Sequence, residues 1–416
     1  MVFKVQFLIL RCIAASVLCL LLYSCGESSS RSVKERAISS LEVKEKERQK
    51  MPVPPSFTPE KRQELADKLD SAFTYLHEKR GFNGTVLVSK YDRVIYKGAF
   101  GYEDFPSKDT LTTESVFQLA SVSKQFTAMA IMILKEQGKL SYDDSVQQYI
   151  PDFPYEGITI RQLLNHRAGL SEYTYFSDAL WPDRDIPITN DDVLGLMKEH
   201  QPQPYYQPNT HYDYSNTGYF LLASIVRRAS GMPFAVFLQE YIFEPADMED
   251  TYTFSDSLLT QTEKLAFGHT SRNRRRRPDY LDFVLGDKGV FSTVEDLYKW
   301  DQALYGEKLV TQETLKEAFT GSRTRKNITE DYGFGWRIKP IESGDTVVYH
   351  AGWWHGYNSY LWRNPKDHSA LIMLSNVTNG ILGYMDEVEQ LLYPEEPLEV
   401  SGENKTAEET IGAQPQ

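Results

Sequence analysis

The chain reads as an α+β fold: an antiparallel sheet built from both chain ends and packed by helices, with an all-helical region inserted between. Two observations carry this reading. Runs rich in β-branched and aromatic residues, separated by turn residues, occur soon after residue 83 and again after residue 345, whereas the apolar segments between them follow helical spacing. Strand-rich ends around a helical middle are met most simply by one sheet with helices inserted. No internal repeat is present, and 416 residues, 41% of them apolar, suffice for a substantial core.

Taken in order, residues 1–24, MVFKVQFLILRCIAASVLCLLLYS, place Lys4 and Arg11 ahead of an apolar run from Cys12 to Leu22 that is too short to span a bilayer. They are expected to form a signal peptide. Leu22-Tyr23-Ser24-Cys25 follows and resembles a bacterial lipobox, which implies lipidation of Cys25 and a protein anchored in the bacterial cell envelope, facing periplasm or exterior. The alternative is a plain cleaved secretory signal. All three cysteines, Cys12, Cys19 and Cys25, lie in this region, so disulfides play no part in the folded portion.

Residues 25–57 carry few apolar side chains and alternating charge and are expected to be a flexible tether with a reach of about 30 Å. Residues 58–393 form the expected globular domain. The segment 394–416 sets six glutamates against one lysine and is expected to be a disordered acidic tail. A formal net charge of −13 argues against a general nucleic-acid binder, and neither HExxH, a Cys-rich finger nor a P-loop occurs.

Within the domain, GTVLVSK and VIYKGAF flank the turn Tyr91-Asp92-Arg93 and predict a hairpin. Ser121–Gln137 is apolar almost all round, the mark of a buried helix, and Gly138 can close it in the left-handed conformation. Helical patterns recur at Arg161–Asn165, Asp191–His200, Gly218–Ser230 and Thr293–Tyr305. TVVYHAG, NSYLWRN and SALIMLSN predict three strands near the far end.

LASVSKQF at 119–126 holds the single S-x-x-K of the chain. Positions three apart share a helix face, so Lys124 can present its amine to the Ser121 hydroxyl, and an apolar helix supplies the burial that makes lysine a base. Ser121 at the helix N-terminus also brings its backbone N–H toward a developing oxyanion. Tyr214-Ser215-Asn216 precedes a second apolar helix: a tyrosinate held between cations can share a proton with lysine, and Asn216 can bond a substrate amide. His350-Ala351-Gly352 ends a strand, where Gly352 lets substrate lie against the edge and the Trp353 N–H offers a second oxyanion donor.

S-x-x-K, Y-x-N and H-x-G in this order resemble the penicillin-recognising serine hydrolases, the branch with class C β-lactamases, DD-peptidases, esterases and D-aminopeptidases. LLNHRAGL at 163–170, GVFSTVEDLYKW at 289–300, YGFGW at 332–336 and GYNSYLWRNP at 356–365 match the same family. The resemblance spans roughly residues 60–393. It implies a β-lactamase/transpeptidase-like fold with the active site between sheet and helical region. Ser121 is then the nucleophile, Lys124 and Tyr214 the proton-transfer pair, Asn216 a substrate contact, and His350 and Gly352 the opposite wall. It implies no metal or organic cofactor and a small-molecule or peptide substrate cleaved through an acyl-enzyme. Ester or amide substrates, including peptide and D-amino-acid compounds, lead. A DD-carboxypeptidase or class C-type β-lactamase and a catalytically silent sensor are the alternatives. Because His350 and Ala351 stand where β-lactamases carry lysine and a hydroxyl residue, slow β-lactam turnover and preference for an uncharged ester or peptide are expected.

Simpler roles stand beside these. Ser121 and Lys124 would otherwise cap a helix and meet solvent, and Tyr214 and Asn216 would be turn and cap residues. His166 reads as structural. Tyr173, Tyr175, Phe176, Trp181, Tyr205, Tyr206 and Tyr212 either wall an acyl pocket or form core. RNRRRR at 272–277 reads as a solvated loop or a contact for lipid phosphate. Asn327-Ile328-Thr329 matches a glycosylation acceptor, which has little force in the bacterium that a lipobox implies. Cells fed radiolabelled palmitate should label the wild type but not Cys25→Ala; a wild-type protein that is soluble and unlabelled contradicts the anchor.

Overall fold

A computed structural model describes residues 50–255, 264–322, 330–341 and 344–393. The signal segment, Cys25, most of the expected tether, Asn327–Thr329 and the acidic tail lie outside the described residues. The chain packs earlier than the boundary expected at residue 58. Met51 N–H donates to Asp92 Oδ2 at 2.6 Å, and the Phe57 ring lies 5.2 Å from that of Tyr91.

Thr58 caps the first helix, α1 (Pro59–Arg80), by accepting from Lys61 N–H, with Pro59 pre-set for the first turn. Leu69, Phe73 and Leu76, spaced four and three apart, are its buried stripe. Strands β1 (Gly84–Lys90) and β2 (Arg93–Phe100) form the expected hairpin, with Tyr91 and Asp92 both at positive φ, the twist a two-residue turn needs. The buried helix begins later than its pattern indicates. Ala120–Ser123 is a 3₁₀ turn and α2 runs over Lys124–Glu136, buried from Lys124 to Leu134. Gly138 follows at φ +68°. Helices α3 (Asn216–Ser230) and α4 (Val294–Ala303) occupy two further segments with helical spacing.

The far end supplies β3 (Asp331–Tyr332), β4 (Arg337–Pro340), β5 (Thr346–Trp354), β6 (Tyr357–Asn364), β7 (Ser369–Ser375) and α5 (Met385–Leu392). All seven strands join one antiparallel sheet in the order β2-β1-β7-β6-β5-β4-β3. The N-terminal hairpin pairs with the last strand, Gly84 opposite Ser375, so the sheet is built from both chain ends as the sequence indicates.

Period-two alternation sends the two faces of the sheet into different cores. Val86, Val88, Trp362, Leu371 and Met373 pack with α1 and α5, while Leu87, Leu361, Ile372 and Leu374 join the larger core around α2, α3 and α4. The pairing of β4 with β5 stops at Arg337 opposite Tyr349. Beyond that point β5 runs on through Trp354, paired only with β6 among the described residues. That free edge faces the 3₁₀ turn bearing Ser121.

Candidate active site

The Ser121 segment is held from two sides. Leu119 N–H donates to the Val290 carbonyl at 2.8 Å and Val290 N–H to Ser123 Oγ at 3.1 Å, fixing it to the strand Val290–Ser292. From the sheet, Ser359 Oγ donates to the Leu119 carbonyl at 2.5 Å. Ala120, between these anchors, takes φ +47°, a conformation costing a non-glycine residue about 1 kcal/mol that turns Ser121 into the cleft.

Gly352 makes the approach of β5 possible. A Cβ there would lie 2.3 Å from Ser359 Oγ, 2.5 Å from the Leu119 carbonyl oxygen and 3.0 Å from Ser121 N. Trp353 follows at the rim, 53% exposed.

Lys124 is fully buried, and its Nζ reaches Ser121 Oγ at 3.0 Å, Asn216 Oδ1 at 2.8 Å and the Asp287 carbonyl at 2.9 Å. These three partners match the three N–H bonds of an ammonium; in the neutral amine the lone pair can accept the Ser121 proton instead. Burial pushes the Lys124 pKa down to about 8. Asp287 and Glu172 pull the other way, and Arg337 adds to the depression.

Tyr214 stands beside this pair, its ring centroid 5.0 Å from Lys124 Nζ and 5.5 Å from the Arg337 guanidinium carbon. Desolvation pushes its pKa up, against the hydrogen bond with Ser121 and the charge of Arg337. The residue is a phenol at rest, which differs from the tyrosinate the motif suggests: the desolvation outweighs the neighbouring cations.

Asn216, at the start of α3, turns its carbonyl oxygen to Lys124 while its backbone N–H donates to Glu172 Oε2 at 2.9 Å. His350 departs from its expected place as a substrate contact. It is 1% exposed, Nδ1 meets the Ala351 carbonyl at 2.8 Å, and Nε2 meets Tyr332 Oη at 3.0 Å. A carbonyl only accepts, so Nδ1 carries the proton, Nε2 accepts from Tyr332, and neither nitrogen remains for a ligand. Burial, Arg337 and Lys124 hold its pKa well below the usual histidine value, so the ring is neutral.

His166 is structural. Its Nδ1 accepts from Ser215 N–H at 3.1 Å, and its ring packs 4.4 Å from the rings of Tyr214 and Tyr332. The aromatic group divides: Tyr173 and Phe176 are core, whereas Tyr175, Tyr205 and Tyr206 are exposed. Sequence reasoning missed Glu172, Asp287 and Arg337. Each flanks a family-like stretch: Glu172 lies two positions after LLNHRAGL, Asp287 two positions before GVFSTVEDLYKW, and Arg337 follows YGFGW directly. Among the described residues no group of three or more His, Cys, Asp or Glu could hold a metal ion.

The Beta-lactamase family model matches residues 69–389 of this chain. The chain belongs to the beta-lactamase family of serine hydrolases. This beta-lactamase-family chain is 38% identical over 321 residues to penicillin-binding protein 4* of Bacillus subtilis (strain 168), covering 74% of its own length and 71% of that protein. It is 25% identical over 305 residues to a D-aminopeptidase of Brucella anthropi, covering 72% and 57%. Among solved structures, the octameric penicillin-binding protein homologue from Pyrococcus abyssi superposes with a TM-score of 0.68 at 26% identity, covering 78% of this chain and 77% of that one.

Gly352→Ala should therefore lower kcat/KM for a chromogenic ester by about a hundredfold, because displacing the Ser121 segment by even an ångström spoils attack geometry. The circular dichroism of the variant should stay native. Activity within threefold of wild type would show that β5 does not fix the serine.

Proposed function

We propose that the protein hydrolyses ester or amide bonds, in peptide or D-amino-acid compounds, through an acyl-enzyme on Ser121. The observation that carries this is Lys124: fully buried, 3.0 Å from Ser121 Oγ, and with a pKa lowered to about 8, it is a base poised near neutral pH. Neutral Lys124 takes the Ser121 proton as Oγ bonds to the carbonyl carbon. The oxyanion gathers hydrogen bonds from the backbone N–H groups of Ser121 and Trp353. As the tetrahedral species collapses and the bond to the leaving group breaks, Tyr214 gives that group its phenolic proton and recovers one from the Lys124 ammonium. Water then cleaves the acyl-enzyme with the proton transfers reversed.

Asn216 orients Lys124 through Oδ1 and meets the substrate with its amide. The resemblance to penicillin-binding protein 4* and to a D-aminopeptidase supports substrates with an acyl-D-amino-acid character. A second reading, DD-carboxypeptidase or class C-type β-lactamase action, draws support from Arg337, a cation beside Tyr214 that can meet a substrate carboxylate where His350 cannot. The ion pair of Arg337 with Glu330 tempers that charge, so β-lactam turnover slower than ester turnover remains our proposal. We also propose that Cys25 anchors the enzyme in the cell envelope by a lipid.

A fluorescent fluorophosphonate should modify the wild type and leave Ser121→Ala unlabelled. Equal labelling of both would remove Ser121 from the mechanism.

A further inference from the structure

The acyl-enzyme reading, on which this inference rests, fixes how a substrate lies. Tyr214, the donor to the leaving group, packs at the His350 end of β5, with ring centroids 6.1 Å apart. The leaving group therefore points toward His350, and the acyl chain runs the other way, past Gly352 toward Trp354, about 7 Å along an extended strand.

A cavity of about 140 Å³ opens there. Gln118, three residues before Ser121, and Trp354 form its near side, and Phe254 and Phe267 give it apolar walls. The remaining wall carries Arg275, Arg276 and Arg277 from the basic run that the catalytic reading leaves without a role. Their backbone is an ordered hairpin: His269 bridges Arg275, Thr270 N–H donates to the Arg274 carbonyl at 2.9 Å, and Arg276 N–H to the Gly268 carbonyl at 2.7 Å. The Arg275 guanidinium carbon lies over Phe267, 3.3 Å from its ring centroid.

Of the acidic groups nearby, Asp282 also lines the cavity, and both it and Asp279 have partners other than the arginines. Asp282 Oδ1 accepts from Trp354 Nε1 at 2.6 Å, and Asp279 lies 3.5 Å from His355 Nε2. Among the described residues no carboxylate comes within ion-pair distance of the three guanidiniums. Three adjacent cations at the mouth of a small cavity, in a chain of net charge −13, form a local field opposite to that of the whole molecule. Guanidiniums of this kind match carboxylate geometry in a two-pronged contact. The apolar walls suit a methylene chain, and the volume, a few water molecules' worth, admits the end of a chain rather than a lipid headgroup on a membrane surface.

We propose that this cavity is an acyl-side subsite that binds a carboxylate carried by the substrate, remote from the scissile bond. The enzyme then prefers acyl groups that end in a negative charge.

The test uses full-length protein in detergent with p-nitrophenyl monoesters of succinate, adipate, suberate and sebacate, each as the free carboxylate and as its methyl ester. For the suberate or sebacate pair, kcat/KM should favour the free acid by about tenfold or more, the worth of one charge-assisted contact. For succinate, too short to reach, the preference should vanish. The variant R275Q/R276Q/R277Q should lose the long-chain preference while hydrolysing the methyl esters within about threefold of wild type, and R275E/R276E/R277E should reverse it. Equal losses for acid and methyl ester, or no preference in the wild type at any length, would overturn the proposal. So would a triple variant that keeps the long-chain free-acid preference but loses binding to phosphatidylglycerol vesicles, which would assign the arginines to lipid phosphate. Wild-type turnover no greater than that of Ser121→Ala would instead mark failure of the acyl-enzyme reading, and the subsite would fall with it.

Discussion

A lysine amine sealed from water, with Ser121 as one of its three partners, is the constraint on which the site depends. Burying an ammonium costs several kcal/mol, and only good geometry with every N–H occupied offsets it. Lys124 meets that condition by drawing on parts of the chain far apart in sequence: Ser121 one turn away, Asn216 at the start of α3, and the Asp287 carbonyl ahead of the strand Val290–Ser292. The same burial that is costly to the fold makes the amine a usable base, with its pKa down to about 8. Beneath it, Tyr173 Oη donates to Asp287 Oδ2 at 3.0 Å and receives a hydrogen bond from Lys288 Nζ at 2.7 Å, so the loop that presents the Asp287 carbonyl is tied into the helical core.

The sheet contributes through close approach rather than through titrating groups. Because side chains alternate along a strand, a slip of one residue in β5 would bring Ala351 or Trp353 where Gly352 now touches the Ser121 segment. The pairing of Gly352 with Ser359, whose hydroxyl also holds the Leu119 carbonyl, fixes that register. His350 and His166 fill the space behind Tyr214 as neutral rings, both held well below the ordinary histidine pKa by burial and by Lys124 and Arg337. Positive charge around Ser121 thus comes from lysine and arginine, Lys124 and Arg337 with Lys288 beneath, and the histidines shape the wall without adding charge.

How much of this the sequence discloses depends on the range of the interactions. The end strands are legible because their β-branched and aromatic residues alternate with turn signals, and one sheet drawn from both ends is expected from their order; that Gly84 pairs with Ser375 is a register only the structure supplies. The helix α1 leaves a weaker trace: Leu69, Phe73 and Leu76 are its buried positions amid a charged surface. The start of α2 is misread by three residues because left-handed Ala120 and a 3₁₀ turn, set by contacts with strand 290–292, override the apolar pattern. In the site, local spacing brings Ser121 and Lys124 together, and motif order brings Tyr214, Asn216 and Gly352 to them. What spacing cannot carry is occupancy. That His350 spends both nitrogens on Tyr332 and Ala351, that Asn216 turns its oxygen inward, and that Glu172, Asp287 and Arg337 set the electrostatics are long-range outcomes of packing.

The pH dependence of acylation tests directly whether the neutral Lys124 amine is the base. The pre-steady-state acylation rate with a chromogenic ester should rise with pH through about 8, as the amine loses its proton. Asp287 favours the charged amine, so Asp287→Asn should move that rising limb to lower pH. A rate that is flat from neutral to alkaline pH, or a limb that Asp287→Asn leaves in place or moves upward, would contradict the account.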